Sequence, residues 1–453
     1  MKNGVSILFL LLSVVITGCK KLDDSSGNLD VQLEEVLHQA SGGSGKAFYI
    51  LPESDDFSLI PQDPKNPLTT AKVELGRFLY HETAFALDAK YTEGMHTYSC
   101  ASCHHADCGF QAGLAQGIGD GGIGYGNHGE MRYMNENYSE DSVDVQNIRT
   151  PSTLNVAFQK VMLWNGQFGA SGSNEGTESN WTPGTQKEKN HLGYEGIETQ
   201  SIAGLEVHRQ LIGTAMILQS EYKEFFDNAF PDLPATERYN SITAGLAIAA
   251  YERTLLATEA PFQKWLKGNS NAMSENQKQG ALLFFGKANC FHCHTGPALN
   301  TESFHALGMK DLNGPDILGP GPDDIAIRGR GGFTNDPEDD YKFKTPQLYN
   351  LRYNSFFGHG SSFRSVKEVL VYKNNALKEN PLVPDEQLSP EFNPLNLTEE
   401  EINLLADFIN HGLDDKDLFR YEPSYLPSGN CFPNNDEQSK IDLGCDLKDL
   451  AKK

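Results

Sequence analysis

Three cysteines and two histidines fall within residues 98–110, YSCASCHHADCGF, although the whole chain of 453 residues has only eight cysteines. Four of the eight sit in two copies of one pattern, Cys100-Ala-Ser-Cys103-His104 and Cys290-Phe-His-Cys293-His294. C-x-x-C-H is the attachment signature of c-type haem. Its spacing has a chemical reason. Two thioethers fix one edge of the porphyrin, and the next residue then brings its imidazole beneath the iron as an axial ligand. Zinc would need four thiolate or imidazole ligands around one ion, which two motifs so far apart in the chain supply awkwardly. A thioredoxin-like redox pair needs a β-α-β setting that the sequence lacks. Disulfides leave the histidine after each pair unexplained. Two covalently bound c-type haems are the expected cofactors. Of the other cysteines, Cys431 and Cys445 lie close together in the C-terminal tail, as a disulfide or as two thiols, and Cys108 reads as a buried free thiol.

Helices must position both motifs. Residues 69–82, TTAKVELGRFLYHE, carry Val73, Leu75, Phe78 and Leu79 near helical spacing behind a threonine cap. Residues 240–257 begin on Asn240 and keep Ile242, Leu246, Ala249 and Ala250 on one face. Residues 274–286 open on a capping Ser274 and lead into the second motif. RSVKEVLVYKN and LTEEEINLLADFINHG are further amphipathic helices, the latter with Thr398 before an acidic first turn and Gly412 as its stop. Between Gly113 and Gly129 the chain is too rich in glycine for regular structure and predicts a loop near the first motif. Residues 166–196 are also polar and aperiodic, and loops of this length are usually functional or mobile. The expected fold is all-α, two cytochrome c-like haem domains with long loops and little β structure. The expected divisions are a signal over residues 1–18, a tether and extension over 19–65, haem domains over 66–257 and 258–425, and a tail over 426–453.

The net charge of −24 argues against nucleic acid as a partner and suits a basic one. A hydrophobic fraction of 38% is enough for ordinary cores. Lys2 followed by VSILFLLLSVVI reads as an export signal too short to span a bilayer. It ends in ITGC, which resembles a bacterial lipobox, so Cys19 is expected to be lipidated after cleavage. The polar run KKLDDSSGNLD that follows reads as a flexible tether. The expected location is the periplasmic side of a bacterial membrane, held there by a lipid anchor.

The two motifs and their flanks resemble the bacterial di-haem cytochrome c peroxidase family, which includes the MauG-type enzymes. The resemblance covers residues 68–415. It rests on ELGRFLYHE, RTPSTLNVAFQKVMLWNG, GLEVH, AYERTLLATEAPFQKWLKG, GALLFFGKANCFHCHTGP, FKTPQLYNLR and GHGSSFRSVKEVLVYKN, in family order. It implies a peroxidatic first haem on Cys100, Cys103 and His104, and an electron-accepting second haem on Cys290, Cys293 and His294. It implies that Trp164 lies between the two haems and that Glu206 is the distal acid–base group. It makes His128, in the glycine-rich loop, the candidate for a displaceable ligand of the first iron, with His105 as an outside candidate. The implied substrate is hydrogen peroxide, and the implied donor a small cytochrome c or copper protein. A homodimer is also implied. A MauG-type oxidase acting on a protein or organic substrate, and a non-catalytic electron carrier, are the alternatives.

Two departures stand out. The family's second haem usually takes a distal methionine, but SVKEVLVYKN has none. Tyr372 or Lys373 falls closest, MauG-type members use tyrosine there, and Met309 is a substitute from another loop. The family also tends to hold calcium between its domains, partly through an asparagine. Here IRTP puts Arg149 at that place. A cation cannot ligate calcium, which leaves backbone carbonyls near Asn354 and Phe356 as donors.

Overall fold

The computed structural model describes residues 24–445 apart from 320, 322 and 323. The export signal and Cys19 lie outside the described residues. Among the described residues no helix is long and apolar enough to cross a membrane.

The chain is mostly helices and short 3-10 turns joined by long irregular stretches. Among the described residues, sheet is confined to two antiparallel pairs, Gly122–Ile123 with Tyr133–Met134 and Phe304–His305 with Phe343–Lys344. This agrees with an all-α fold of little β structure. The predicted caps form. Thr69 accepts from the Lys72 amide ahead of helix Thr70–His81. Asn240 and Ser274 close capping boxes on Ser241–Arg253 and Glu275–Phe285, and Thr398 does the same with Glu401 on Glu399–Asp407. Each box satisfies backbone amides that the first helical turn leaves without partners. Helix 399–407 continues as a wider π turn to Gly412.

One expectation is corrected. The run read as a flexible tether is helical from Asp24, within Asp24–Ala40. The reason lies downstream of that polar run. Leu33 and Leu37 are four residues apart, one helical turn, and both are fully buried. Asp30 ties the same helix down, accepting from the Trp265 indole at 2.7 Å and pairing with Lys278 at 2.6 Å.

Helix 241–253 packs against 70–81 on one side and Gly196–Val207 on the other. A Cβ at Gly76 would lie 1.9 Å from the Ala247 carbonyl oxygen, so only glycine lets these backbones approach so closely. Gly280 plays the same part where 275–285 crosses 399–407, 2.1 Å from the Leu404 carbonyl oxygen. Helix 24–40 packs against 275–285 as well. Buried apolar residues from Leu33 to Leu426 form one continuous cluster, in which the ring of Phe408 meets those of Phe262, Phe284 and Phe285 edge to face. Inside it Arg253 is fully buried, held by Glu198 at 2.7 Å and Glu195 at 3.0 Å. The C-terminal tail is closed by a Cys431–Cys445 disulfide and folds back on the first motif. There the Pro433 carbonyl accepts from the hydroxyls of Ser99 and Ser102.

Candidate functional site

The two C-x-x-C-H segments fold into the same turn. In each, the first cysteine's carbonyl accepts from the amides of the second cysteine and of the histidine. The distances are 3.2 and 3.1 Å at Cys100, and 3.3 and 2.9 Å at Cys290. His104 Nδ1 lies 3.2 Å from the Phe110 carbonyl, and His294 Nδ1 lies 3.2 and 3.1 Å from the carbonyls of Leu299 and Pro346. A carbonyl at Nδ1 fixes the tautomer and leaves Nε2 free for a metal. Burial lowers the pKa of both imidazoles to about 4, so they are neutral, the ligating form. Burial likewise pushes the thiols of Cys100, Cys103 and Cys290 up to about 12. None of the four motif cysteines, Cys293 included, forms a disulfide.

The surroundings fit a large planar group. Cys290, Cys293 and His294 open onto a mainly apolar cavity of about 600 Å³, within the range cofactor pockets occupy. Beside the first turn, Gln210 accepts from the Cys100 thiol at 3.8 Å while its buried Nε2 has no partner. A buried donor left unpaired is costly and marks a place where an acceptor belongs. Gly117 brings the glycine-rich loop against Cys103, whose sulfur would be 3.0 Å from any added Cβ. Glu252 lies near Cys100, and burial raises its carboxyl to about 8.

Trp164 lines the cavity at the second motif, hereafter the second cavity, and its indole donates to the Arg149 carbonyl at 2.8 Å. The Arg149 guanidinium reaches Gln111 at 2.8 Å, and Gln111 follows the residue whose carbonyl holds His104. On its other side the Trp164 carbonyl accepts from the Lys344 amide, two residues before the Pro346 carbonyl that meets His294, so Trp164 stands on a bonded path between the two turns. Lys344 is buried beside it, its amide bonded to the Trp164 carbonyl at 2.7 Å and its amine lowered by burial to about 7. Arg149 also donates to Asn354 at 3.1 Å, so it brings a positive charge to the oxygens expected around calcium.

The remaining expected residues are placed as follows. Glu206 is 74% exposed and pairs with Lys189 at 3.1 Å. His128 is exposed, stacks on Tyr353 and lies 3.5 Å from Asp107, with its carbonyl accepting from the Cys108 thiol. His105 is buried beneath the same loop against Tyr125. Met309 lines the second cavity, as does Lys373, whose amine burial disfavours in its charged form. Tyr372 does not line it. Its hydroxyl donates to the Leu307 carbonyl at 2.5 Å and its ring packs on Phe363 and Phe392.

The sequence reading passed over one residue. His208 follows Glu206 by two positions and closes the GLEVH segment. Its Nδ1 meets the buried Asp144 carboxylate at 2.8 Å, and its charge is felt at His104. Burial works against the His208 cation, but Asp144 outweighs it and raises its basicity. The signal was the pairing of a histidine with a distant aspartate, which one sequence does not reveal.

Residues 70–271 match the family described as di-haem cytochrome c peroxidase. The methylamine utilization protein MauG of Methylorubrum extorquens is 27% identical over 375 residues, 80% of this chain and 83% of that protein. Cytochrome-c peroxidase IdrP1 of Denitromonas iodatirespirans is 28% identical over 410 residues, 84% of this chain and 91% of that protein. A solved structure of a MauG-like protein associated with microbial copper homeostasis shares the fold, with a TM-score of 0.56 and 22% identity over 81% of this chain and 95% of that one. The chain is thus similar to the di-haem cytochrome c peroxidase and MauG proteins, a family whose two c-type haems its two C-x-x-C-H turns would hold.

Proposed function

We propose that this oxidoreductase reduces hydrogen peroxide to water with electrons from a small periplasmic redox protein, and that Cys19 tethers it to the membrane by lipid. Residues 66–257 carry the peroxidatic haem on Cys100, Cys103 and His104. Residues 258–425 carry the second haem on Cys290, Cys293 and His294. Haem iron supplies the electron transfer and the peroxide-binding position when bound.

The observation that carries this reading is the bonded path through Trp164. Two turns of one geometry, each presenting a free Nε2, are joined through Trp164, by Arg149 and Gln111 on the side of His104 and by the Lys344–Pro346 segment on the side of His294. Splitting peroxide needs electrons delivered to one site and a proton moved from the near oxygen to the leaving one. The segment Glu206 to His208 is suited to the proton step. His208 is backed by Asp144 and near enough for its charge to act on His104, while Glu206 stands at the solvent side. For the His128 imidazole to reach the first site, its loop must leave Tyr353 and Cys108, so any control through His128 requires loop movement. The acidic surface favours a basic donor. The reading is tested by peroxide turnover with a reduced small cytochrome c. Donor oxidation dependent on both haems supports it, and none refutes it.

A second reading, a MauG-type oxidase acting on a protein or organic substrate, is favoured by one observation. Helix 366–375 offers the second cavity no methionine.

A further inference from the structure

The second cavity has a helical wall whose pattern separates two neighbouring residues. Four residues of helix Val366–Asn375 line it: Val366, Val369, Leu370 and Lys373. Their spacing of three, one and three puts them on a single helical stripe. Lys373 is the polar end of that stripe. Tyr372 lies about 100° around the helix from it, with its hydroxyl committed to the Leu307 carbonyl and its ring to Phe363 and Phe392.

Lys373 lines the same cavity as Cys290, Cys293 and His294 of the attachment turn. Its charge is felt at Cys290 and His294. It donates to the Glu391 carbonyl at 3.0 Å and lies 5.3 Å from the Phe392 ring centre. The carbonyl is an ordinary solvent-side acceptor that a flexible four-carbon stem can leave. Met309 reaches the cavity from a loop and is seated against Gly358, its sulfur 3.3 Å from the position a Cβ would take there.

We propose that Lys373 is the distal axial ligand of the second haem, across the iron from His294. The inference rests on attachment of that haem at Cys290 and Cys293. In forming the bond the ammonium releases one proton to solvent, and the freed nitrogen lone pair enters the open coordination position. No electron moves. A nitrogen pair on the iron also sets this haem apart from a histidine–methionine haem, whose thioether favours a higher potential.

The test is low-temperature EPR and near-infrared magnetic circular dichroism of the ferric di-haem protein, with three variants. Lys373→Arg keeps the positive charge and the stem but has no lone pair to offer. Haem content is measured first for every variant, and for a Cys290→Ser/Cys293→Ser control, by the pyridine haemochrome assay. The proposal expects a low-spin amine–imidazole signature in the wild type. It expects that signature to be lost in Lys373→Arg, replaced by a thioether signature and a higher potential in Lys373→Met, and unchanged in Met309→Leu, all with two haems retained. An unchanged second-haem spectrum in Lys373→Arg overturns it, because a structural role would be rescued by arginine. A wild-type thioether signature that vanishes in Met309→Leu overturns it in favour of Met309. Retention of both haems by the cysteine control refutes instead the attachment site on which the inference rests.

Discussion

The indole nitrogen of Trp164 donates to the carbonyl of Arg149 at 2.8 Å, and through that bond the second cavity meets the residues that hold His104. An aromatic ring on this path shortens the gap an electron must cross. Trp164→Phe keeps a ring but removes the donor. It is expected to slow electron exchange between the haems and, by leaving the Arg149 carbonyl unpaired, to cost about 1–3 kcal/mol of stability. Flash reduction followed by absorbance at both haems, with a denaturant titration, checks both effects.

Removing proton-transfer groups should separate the two members of one segment. His208→Gln is expected to lower peroxide turnover by about 100-fold or more, the usual range for a positioned acid–base group. Glu206→Gln, which breaks only an exposed pair with Lys189, is expected to have the smaller effect. Steady-state kinetics at equal haem content distinguishes them, and the opposite order would move the proton step to Glu206.

The buried Arg253 predicts a structural cost. Arg253→Met leaves Glu198, itself fully buried, with an uncompensated charge. Breaking a buried pair from one side costs about 3–5 kcal/mol, read as a fall in the midpoint of unfolding. Arg253→Met combined with Glu198→Leu should recover much of that loss.

Acid sensitivity follows from His81. Burial lowers its pKa from 6.5 to about 4, and the ring is 1% exposed. The unfolded chain therefore binds the proton more readily than the folded one between these values. Stability is expected to fall as pH drops from about 6.5 towards 4, by up to about 3 kcal/mol from this residue. His81→Phe should flatten the slope in that window, measured by denaturant midpoints across pH.

Much of the scaffold was legible because it is written in local chemistry. Thr69, Asn240, Ser274 and Thr398 are caps whose partners lie within three residues, so spacing alone finds them. The C-x-x-C-H turns are equally local. What the sequence did not yield depends on pairs far apart in the chain. The His208–Asp144 pair spans two loops. The divergence of Tyr372 and Lys373 depends on which stripe of one helix meets a cavity assembled from many distant segments. The start of the first helix was missed because its anchoring residues, Leu33 and Leu37, lie beyond the polar run that resembles a tether.

The central claim is that the two sites act together on peroxide. The most direct measurement mixes the half-reduced protein with hydrogen peroxide in a stopped-flow spectrometer, with a reduced small cytochrome c present as donor. Rapid donor oxidation, with two donor electrons consumed per peroxide and lost when Cys100 and Cys103 are both replaced by serine, is the predicted result. A wild-type protein that leaves the donor reduced, whether half-reduced or fully oxidised at the start, would contradict it.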